Sequence, residues 1–303
     1  MGLTATTLAL AGSKISGGAV EKRAGKNQIL NIYDNMVYNA GGAISQWGFS
    51  TFITYNGKTI LFDAGTCPDI LEHNSRALGA DLTMVDIAVL SHSHSDHLFG
   101  FDYFLKINRD FTFYVPNDFN LGGELAVKVT QTKTGPNSGE ADKKYSCGYL
   151  YRHSNMHFVT GHTDIADGIH LIATSSPLTG SFNKYPPNEN EPQLSGLPEL
   201  SLALDREDGQ VSLISGCSHS KIEEIVKEAK KHLGKNVSLV IGGFHHAPYS
   251  AEYITSIANM MKNELGVKYV ATSHCTGEKA VNIFKDIYKD DFRNSGLGAR
   301  MAL

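Results

Sequence analysis

Four side chains that can bind metal occupy six positions of the stretch SHSHSDHLFG, residues 91–100. They are His92, His94, Asp96 and His97. Such a dense group of imidazoles and carboxylates is costly to bury unless a bound ion offsets the cost. In extended backbone His92 and His94 point to the same side, and Asp96 and His97 follow where the chain turns towards a helix. The spacing predicts two pairs of ligands for two divalent ions. Zinc is favoured, and iron and manganese suit the same ligands.

Three further clusters of metal-capable residues each follow a predicted strand in the second half of the chain. Cys217 and His219 follow VSLISG, His245 and His246 follow LVIGGF, and His274 and Cys275 follow YVATS. Any one of them alone is explained by a buried, hydrogen-bonded histidine or a core cysteine. Because ligands bind outside the ends of strands in α/β folds, the three clusters together predict one convergent site.

The elements that position the first cluster are indicated by turn and helix signals. FSTFITYNGKTILFDAG predicts a β-hairpin, with apolar alternation on both sides of Asn56-Gly57. PDILEHNSRALGA predicts a helix with Pro68 near its start and Gly79 near its end. VDIAVLS is a short apolar run typical of a strand buried on both faces, and it leads directly into the histidine cluster.

The second half of the chain repeats this order of elements. ELSLALDREDGQVSLISGC predicts another hairpin, and SKIEEIVKEAKKHLG predicts a helix with a capping box formed by Ser220 and Glu223. The apolar strands NVSLVIGG and VKYVATS alternate with further helices. Two similar β-rich halves, near residues 28–110 and 169–292, predict an α/β (α+β) fold of four layers, an αββα sandwich.

The domain organisation follows from composition along the chain. Residues 1–26 are small and Gly/Ser/Lys-rich, and we expect a flexible lead-in or the remnant of a clipped signal peptide. Residues 27–303 are predicted to form a single domain of the sandwich type. Irregular loop or lid insertions are expected at about 110–168 and 176–198. The predicted location is cytoplasmic, or exported and periplasmic if the N-terminus is a clipped signal.

The overall composition excludes several classes of partner. A formal net charge of −4, with no basic stripe, predicts that the protein does not bind nucleic acid. No run approaches the roughly 20 apolar residues of a membrane span, so no membrane association is expected. Four cysteines in 303 residues are too few for a disulfide framework. A small-molecule substrate is the expected partner, and a homo-oligomer is compatible with this composition.

The motif H-x-H-x-D-H after a buried strand resembles the signature of the metallo-β-lactamase-fold superfamily. WGFSTFITYNGKTILFDAG, LSHSHSDHLFG, ISGCSH, VIGGFHH and SHCTGEKA occur in the order seen in one branch of it. That branch is 7,8-dihydropterin-6-ylmethyl-4-(β-ribofuranosyl)aminobenzene 5′-phosphate synthase-like, and its members are also described as metal-dependent hydrolases. The resemblance extends from about Gln28 to the last predicted helix and implies a four-layer αββα fold.

The resemblance also implies a set of metal ligands. His92 and His94 would bind one ion, Asp96 and His97 the other, and His274 would complete the second set. Asp63 would support the ligands, and Cys217 stands where the superfamily usually has a bridging aspartate. Glu199 stands where the superfamily usually has a histidine of the first set, so this chain departs from the pattern there. His219 and His162 are the two candidates to replace the missing histidine.

The function implied by the resemblance is hydrolysis of a small anionic or phosphorylated compound. Two zinc ions lower the pKa of bound water towards about 7, so that hydroxide is available as a nucleophile. Asp96 would orient that water, and His245 would stabilise negative charge on the substrate or act as a further ligand. His246 and Cys275 are expected to contact the substrate. The alternatives are a pterin-ligating synthase that releases pyrophosphate and a metal-stabilised binding or sensor protein.

Overall fold

The computed structural model describes residues 27–117, 155–176 and 197–303, and within these ranges the chain forms two β-sheets. The strands of the first sheet are β1 (Gln28–Asp34), β2 (Phe49–Tyr55), β3 (Lys58–Phe62), β4 (Ile87–Val89), β5 (Thr112–Pro116), β6 (Met156–Val159) and β13 (Arg300–Ala302). Their spatial order is β13, β1, β2, β3, β4, β5, β6. Strands β3 to β6 are parallel, whereas β13, β1, β2 and β3 pair antiparallel.

The second sheet is built from the later part of the chain. Its strands are β7 (Thr163–Ala166), β8 (Ile169–Ser176), β9 (Leu197–Asp205), β10 (Val211–Ser215), β11 (Val237–Gly243) and β12 (Tyr269–Ser273). Strands that are consecutive in the chain are neighbours in this sheet, from β7 at one edge to β12 at the other. Strands β10, β11 and β12 are parallel, so their carboxyl ends meet at one edge of the sheet.

Helices cover the outer faces of both sheets. They are α1 (Pro68–Leu78), α2 (Ser95–Leu98), α3 (Phe101–Ile107), α4 (Ile222–Leu233), α5 (Ala251–Asn263) and α6 (Glu278–Tyr288). Along β1 the side chains alternate, so that Ile29 packs between the two sheets and Leu30 packs against α1 and α3. Phe284 of α6 lies in a separate core on the other side of the second sheet. Three apolar layers therefore separate four layers of structure, and the predicted αββα sandwich is confirmed.

The two hairpins that open the halves of the sandwich form as predicted. Asn56 and Gly57 have φ values of 47° and 73°, the left-handed conformations that a type I′ turn requires. In the second hairpin Gly209 adopts φ 77°, and the backbone N–H of Arg206 donates to the carbonyl of Gln210. Both turns lie away from the strand ends that carry the histidines and cysteines.

The predicted capping box at the start of α4 is wrong. The helix begins at Ile222, its N-cap residue is Lys221, and no side chain caps it. Glu223 instead lies against α5, where its carboxylate accepts a hydrogen bond from the hydroxyl of Tyr253 at 3.4 Å. The buried carboxylate of Glu199, in β9, accepts a hydrogen bond from the backbone N–H of Ser220. This contact fixes the chain just before the helix begins.

The insertion predicted at about 110–168 is wrong at both of its ends. Strands β5, β6 and β7 form there, and β6 joins the first sheet as a parallel edge strand. These strands were missed because they have four or five residues each and several of their side chains are exposed. The short strand β13 was missed as well. Residues 118–154, most of the 176–198 insertion and the lead-in at 1–26 lie outside the described residues.

Within the described part of the chain, no helix is long and apolar enough to cross a lipid bilayer.

Candidate metal centre

The motif that follows β4 lies at the edge where the parallel strands of both sheets end. His92 is buried directly after the strand. His94 is the N-cap residue of α2, with extended backbone at φ −67° and ψ 143°, and Asp96 and His97 lie in the first turn of that helix. Strand, extended link and helical turn thus present four side chains to one place, as the spacing predicts.

The imidazoles of the motif converge with the histidine that follows β12. The ring centroid of His92 lies 4.6 Å from that of His94 and 4.2 Å from that of His97. The ring of His274 lies 5.1 Å from the ring of His97, and its Nε2 lies 3.3 Å from Oδ2 of Asp96. The structure therefore brings His274 to the Asp96 and His97 pair.

The loop after β10 supplies a thiol and a further imidazole. Nε2 of His97 lies 3.1 Å from Sγ of Cys217, which is buried. The ring centroid of His219 lies 4.9 Å from that of His92 and 4.6 Å from that of His94. The sequence GCSH thus places its sulfur beside one pair of the motif and its imidazole beside the other pair.

Of the three groups of possible metal ligands in the described residues, two contain a histidine of the motif, and these two share the sulfur of Cys217. One group is His92, Cys217 and His219, and the other is His97, Cys217 and His274. Within each group the donor atoms lie within 4.8 Å of one another. The sulfur of Cys217 is thus common to both groups.

Comparison with known proteins shows which family this chain belongs to. A family profile described as Metallo-beta-lactamase superfamily matches residues 48–182. A curated relative from Methanocaldococcus jannaschii, named 7,8-dihydropterin-6-methyl-4-(beta-D-ribofuranosyl)-aminobenzene-5′-phosphate synthase, is 32% identical over 269 residues, covering 84% of this chain and 89% of the relative. The chain belongs to the metallo-β-lactamase superfamily.

Two further comparisons cover most of the chain. An uncharacterized protein of the same archaeon is 28% identical over 263 residues, covering 82% of this chain and 91% of that protein. A crystal structure described as a metal-dependent hydrolase of the beta-lactamase superfamily aligns with a TM-score of 0.67 and 24% identity, covering 91% of this chain and 99% of the other. This likeness shows that the two chains share their fold.

Asp63 orients His97 through hydrogen bonds to its ring and to Ser91. It follows β3 with φ 59°, and its buried carboxylate accepts hydrogen bonds from the backbone N–H and the hydroxyl of Ser91, both at 2.7 Å. The same carboxylate lies 2.7 Å from Nδ1 of His97. Since an ionised carboxylate only accepts, Nδ1 of His97 carries the hydrogen and Nε2 is turned towards the shared sulfur.

Ser91 and Asn35 orient the rings of His92 and His274, and neither residue was predicted to belong to the site. The hydroxyl hydrogen of Ser91 goes to Asp63, so Nδ1 of His92, 2.8 Å away, donates to Ser91 Oγ and leaves Nε2 as the nitrogen that could bind a metal ion. Asn35 follows β1, and its Oδ1 accepts from Nδ1 of His274 at 2.7 Å. Ser91 lies inside the recognised motif and could have been found there. No local signal indicated Asn35.

Glu199 explains how His219 reaches the first group. The side chain of Glu199 is buried near the start of β9, and its two oxygens accept the backbone N–H groups of His219 at 2.8 Å and Ser220 at 2.7 Å. Burial raises the pKa of Glu199, which these two hydrogen bonds partly oppose. His162, the other candidate, lies instead against α4, with its ring centroid 4.4 Å from that of His232. Of the two candidates, only His219 lies in the first group.

We expect Glu199→Gln to loosen the loop that carries His219. Glutamine has one acceptor oxygen, so its NH2 group would face one of the two backbone N–H donors. Leaving a buried donor unsatisfied costs about 1–3 kcal/mol of unfolding free energy. Zinc bound per chain should fall as well, measured by mass spectrometry of the metal. Glu224→Gln on the exposed face of α4 is the matched control, and equal effects of both changes would contradict this role of Glu199.

The charges of the site fit divalent metal ions. Burial and neighbouring imidazoles lower the pKa of His92 and His219 well below the usual value, and burial lowers the pKa of His94 to about 4. These imidazoles are therefore neutral near pH 7, with nitrogens able to bind metal. Nε2 of His92 and Nε2 of His219 are buried without a hydrogen-bond partner. One ion at the group of His92, Cys217 and His219 would satisfy both atoms.

At the second group the positive charge of protonated His274 compensates the negative charge of Asp96. A metal ion could take the place of that proton. Burial opposes protonation of His274, but Cys275 and Asp96 raise its pKa to about 9. Burial also opposes ionisation of Asp96, but His97 and His274 lower its pKa well below the usual range. A proton on His274 is thus stabilised by the negative charge of Asp96. A divalent cation between the same groups would meet the same negative charge.

His245 and Cys275 lie beside the shared sulfur. The ring of His245 is 4.3 Å from that of His219, and its backbone is left-handed at φ 51°. The thiol of Cys275 donates to the carbonyl of Cys217 at 3.6 Å. The structure therefore brings both of these predicted site residues to the candidate metal centre.

His246 does not join them, and the substrate contact predicted for it stays a prediction. Its buried ring stacks on Phe284 at 5.8 Å with an interplanar angle of 11°. The rings of Tyr249 and Tyr253 lie 6.0 and 6.2 Å away. The chain turns at His245, so His246 faces α5 and α6 while the ring of His245 lies beside that of His219.

Proposed function

We propose that this chain is a metal-dependent hydrolase that uses two zinc ions to cleave a bond in a small anionic or phosphorylated substrate. The observation that supports this most is the pair of ligand groups that share the sulfur of Cys217. Imidazole and thiolate donors suit zinc. Iron and manganese are the alternative ions for the imidazole and carboxylate donors of this site. Positive charge from two ions in a buried site would attract an anionic substrate.

The ions, when bound, would lower the pKa of water and polarise an oxygen of the substrate. The chain's own contribution begins with Asp96. Its Oδ2 lies 3.3 Å from Nε2 of His274 and 3.7 Å from Nε2 of His97, so an ionised carboxylate is held at the boundary of the second group. There it would accept a hydrogen bond from the attacking water and orient it.

His245 would act on the substrate. Its ring lies on the side of His219, and His245 belongs neither to the group of His92 nor to the group of His97. A ring nitrogen at this position can donate a hydrogen bond to an oxygen that becomes negative as the bond is cleaved. Asp96 and His245 therefore take the two roles of orienting the nucleophile and stabilising the developing charge.

Replacing His94 with alanine tests the proposed hydrolysis. We expect kcat/KM towards responsive members of a panel of small phosphate esters and lactones to fall by more than about 100-fold, because changes even outside the ligand shell cost 10–100-fold. Zinc per chain should fall in parallel, while circular dichroism stays unchanged. His73→Ala on the exposed face of α1 is the control. Full turnover in His94→Ala would exclude this mechanism, and no turnover by zinc-loaded wild type would favour a binding or sensor protein.

A pterin-ligating synthase is the second candidate. The curated relative that shares 32% of its residues over 84% of this chain carries that name. In such a reaction the same ligand groups would hold a diphosphate leaving group while a second substrate attacks.

The two candidates differ in their products. The synthase should consume a dihydropterin diphosphate and release pyrophosphate only when the ribofuranosylaminobenzene phosphate partner is present. A hydrolase would act on one substrate alone and would add water to it. Pyrophosphate release measured with and without the partner decides between the two reactions, and absence of release with both substrates present removes the synthase.

A further inference from the structure

Two buried thiols face each other across a glycine at the edge of the second sheet. Cys217 follows β10 and Cys275 follows β12, and β11 runs between these strands. A Cβ atom placed on Gly243, the last residue of β11, would lie 2.6 Å from Sγ of Cys275 and 2.5 Å from the carbonyl oxygen of Gly216. The absence of a side chain at Gly243 therefore creates the space in which the thiols approach each other.

An imidazole completes this group. His245 comes two residues after Gly243, and its left-handed backbone at φ 51° turns the chain there. One ring nitrogen of His245 and the sulfurs of Cys217 and Cys275 all lie within 4.8 Å of one another. Both cysteines are buried. The result is a compact group of two sulfurs and one nitrogen.

Cys217 and Cys275 are both free cysteines, so no disulfide joins them. Their sulfurs and a ring nitrogen of His245 lie within 4.8 Å of one another. Zinc bonds sulfur at about 2.3 Å and imidazole nitrogen at about 2.0–2.1 Å, so one ion could contact all three atoms.

We propose that Cys217, His245 and Cys275 form a third metal position, which takes a thiophilic ion such as Zn²⁺ or Cd²⁺. Two sulfur donors and one imidazole are the ligands that such ions prefer. A thiolate sulfur has three lone pairs, so Cys217 can bind this ion and also contribute to the two histidine groups. The position does not depend on which reaction the centre performs.

The test compares metal content and cadmium absorption in the full-length protein. Wild type is expected to hold three zinc equivalents per chain, and Cys275→Ala is expected to hold two. In cadmium-loaded protein the ultraviolet thiolate-to-cadmium band should weaken clearly in Cys275→Ala. Cys67→Ala, which removes a half-buried cysteine outside all three groups, is the matched control and should keep both values.

His245→Ala tests the same position in case Cys275→Ala fails to fold. His245→Ala leaves every thiol in place and should also lose one equivalent, with unchanged circular dichroism. His94→Ala should abolish the proposed hydrolysis yet keep most of the cadmium band, which separates this position from the proposed function. Unchanged zinc content and an unchanged band in both Cys275→Ala and His245→Ala would overturn the third position.

Discussion

Replacing Cys217 with serine is expected to reduce bound zinc to less than one equivalent per chain and to abolish hydrolysis. The sulfur belongs to every group of possible ligands in the described part of the chain, so one change removes a donor from each. A serine hydroxyl stays protonated at neutral pH and is a poor zinc ligand. Burial raises the pKa of the Cys217 thiol in the metal-free protein, so an ion must supply the charge that stabilises its thiolate.

The measurement is zinc per chain after loading and removal of excess metal, together with kcat/KM on the best substrate of the panel. Cys67→Ser is the matched control, because Cys67 precedes α1 and lies in none of the ligand groups. We expect that variant to retain its zinc. Undiminished zinc in Cys217→Ser would assign Cys217 to packing and would remove the shared sulfur from the mechanism.

The part of the site that was predicted well lies in one short segment. His92, His94, Asp96 and His97 are close in sequence, and a strand followed by one helical turn suffices to bring them together. The clusters after β10 and β12 could also be placed, because parallel strands end at one edge. The sandwich was predicted for a similar reason, since its hairpins and helices carry local signals such as Asn56-Gly57.

The parts that could not be predicted depend on contacts between distant residues. Glu199 accepts N–H groups from residues twenty and twenty-one positions later, and Asn35 contacts a histidine 239 positions away. Ser220 matched a capping pattern, but the carboxylate of Glu199 had already fixed that turn. His246 has the same residue type as its neighbour, and only the packing of α5 and α6 decides which side it faces. Side-chain type and spacing thus identify candidates, whereas tertiary contacts assign their roles.

Asp63→Asn is expected to remove the ion of the His97, Cys217 and His274 group. Asparagine adopts the left-handed backbone at this position readily, so the main chain should be unaffected. Its NH2 group would, however, replace the oxygen that accepts from Ser91 Oγ and from Nδ1 of His97. Nδ1 of His97 would then have to accept, which moves the ring hydrogen to Nε2 and blocks the nitrogen that faces the sulfur.

This change of tautomer has a direct signature. Nitrogen chemical shifts of His97 should interchange between Nδ1 and Nε2 in Asp63→Asn, and zinc should fall by about one equivalent. The unfolding free energy of the metal-free protein should drop by about 1–3 kcal/mol, the cost of an unsatisfied buried group. Asp102→Asn, which breaks an i,i+4 pair with Lys106, should cost less than about 1 kcal/mol and retain all zinc. If Asp63→Asn binds zinc as the wild type does, the carboxylate does not control His97, because the buried donors of Ser91 and His97 would have found other acceptors.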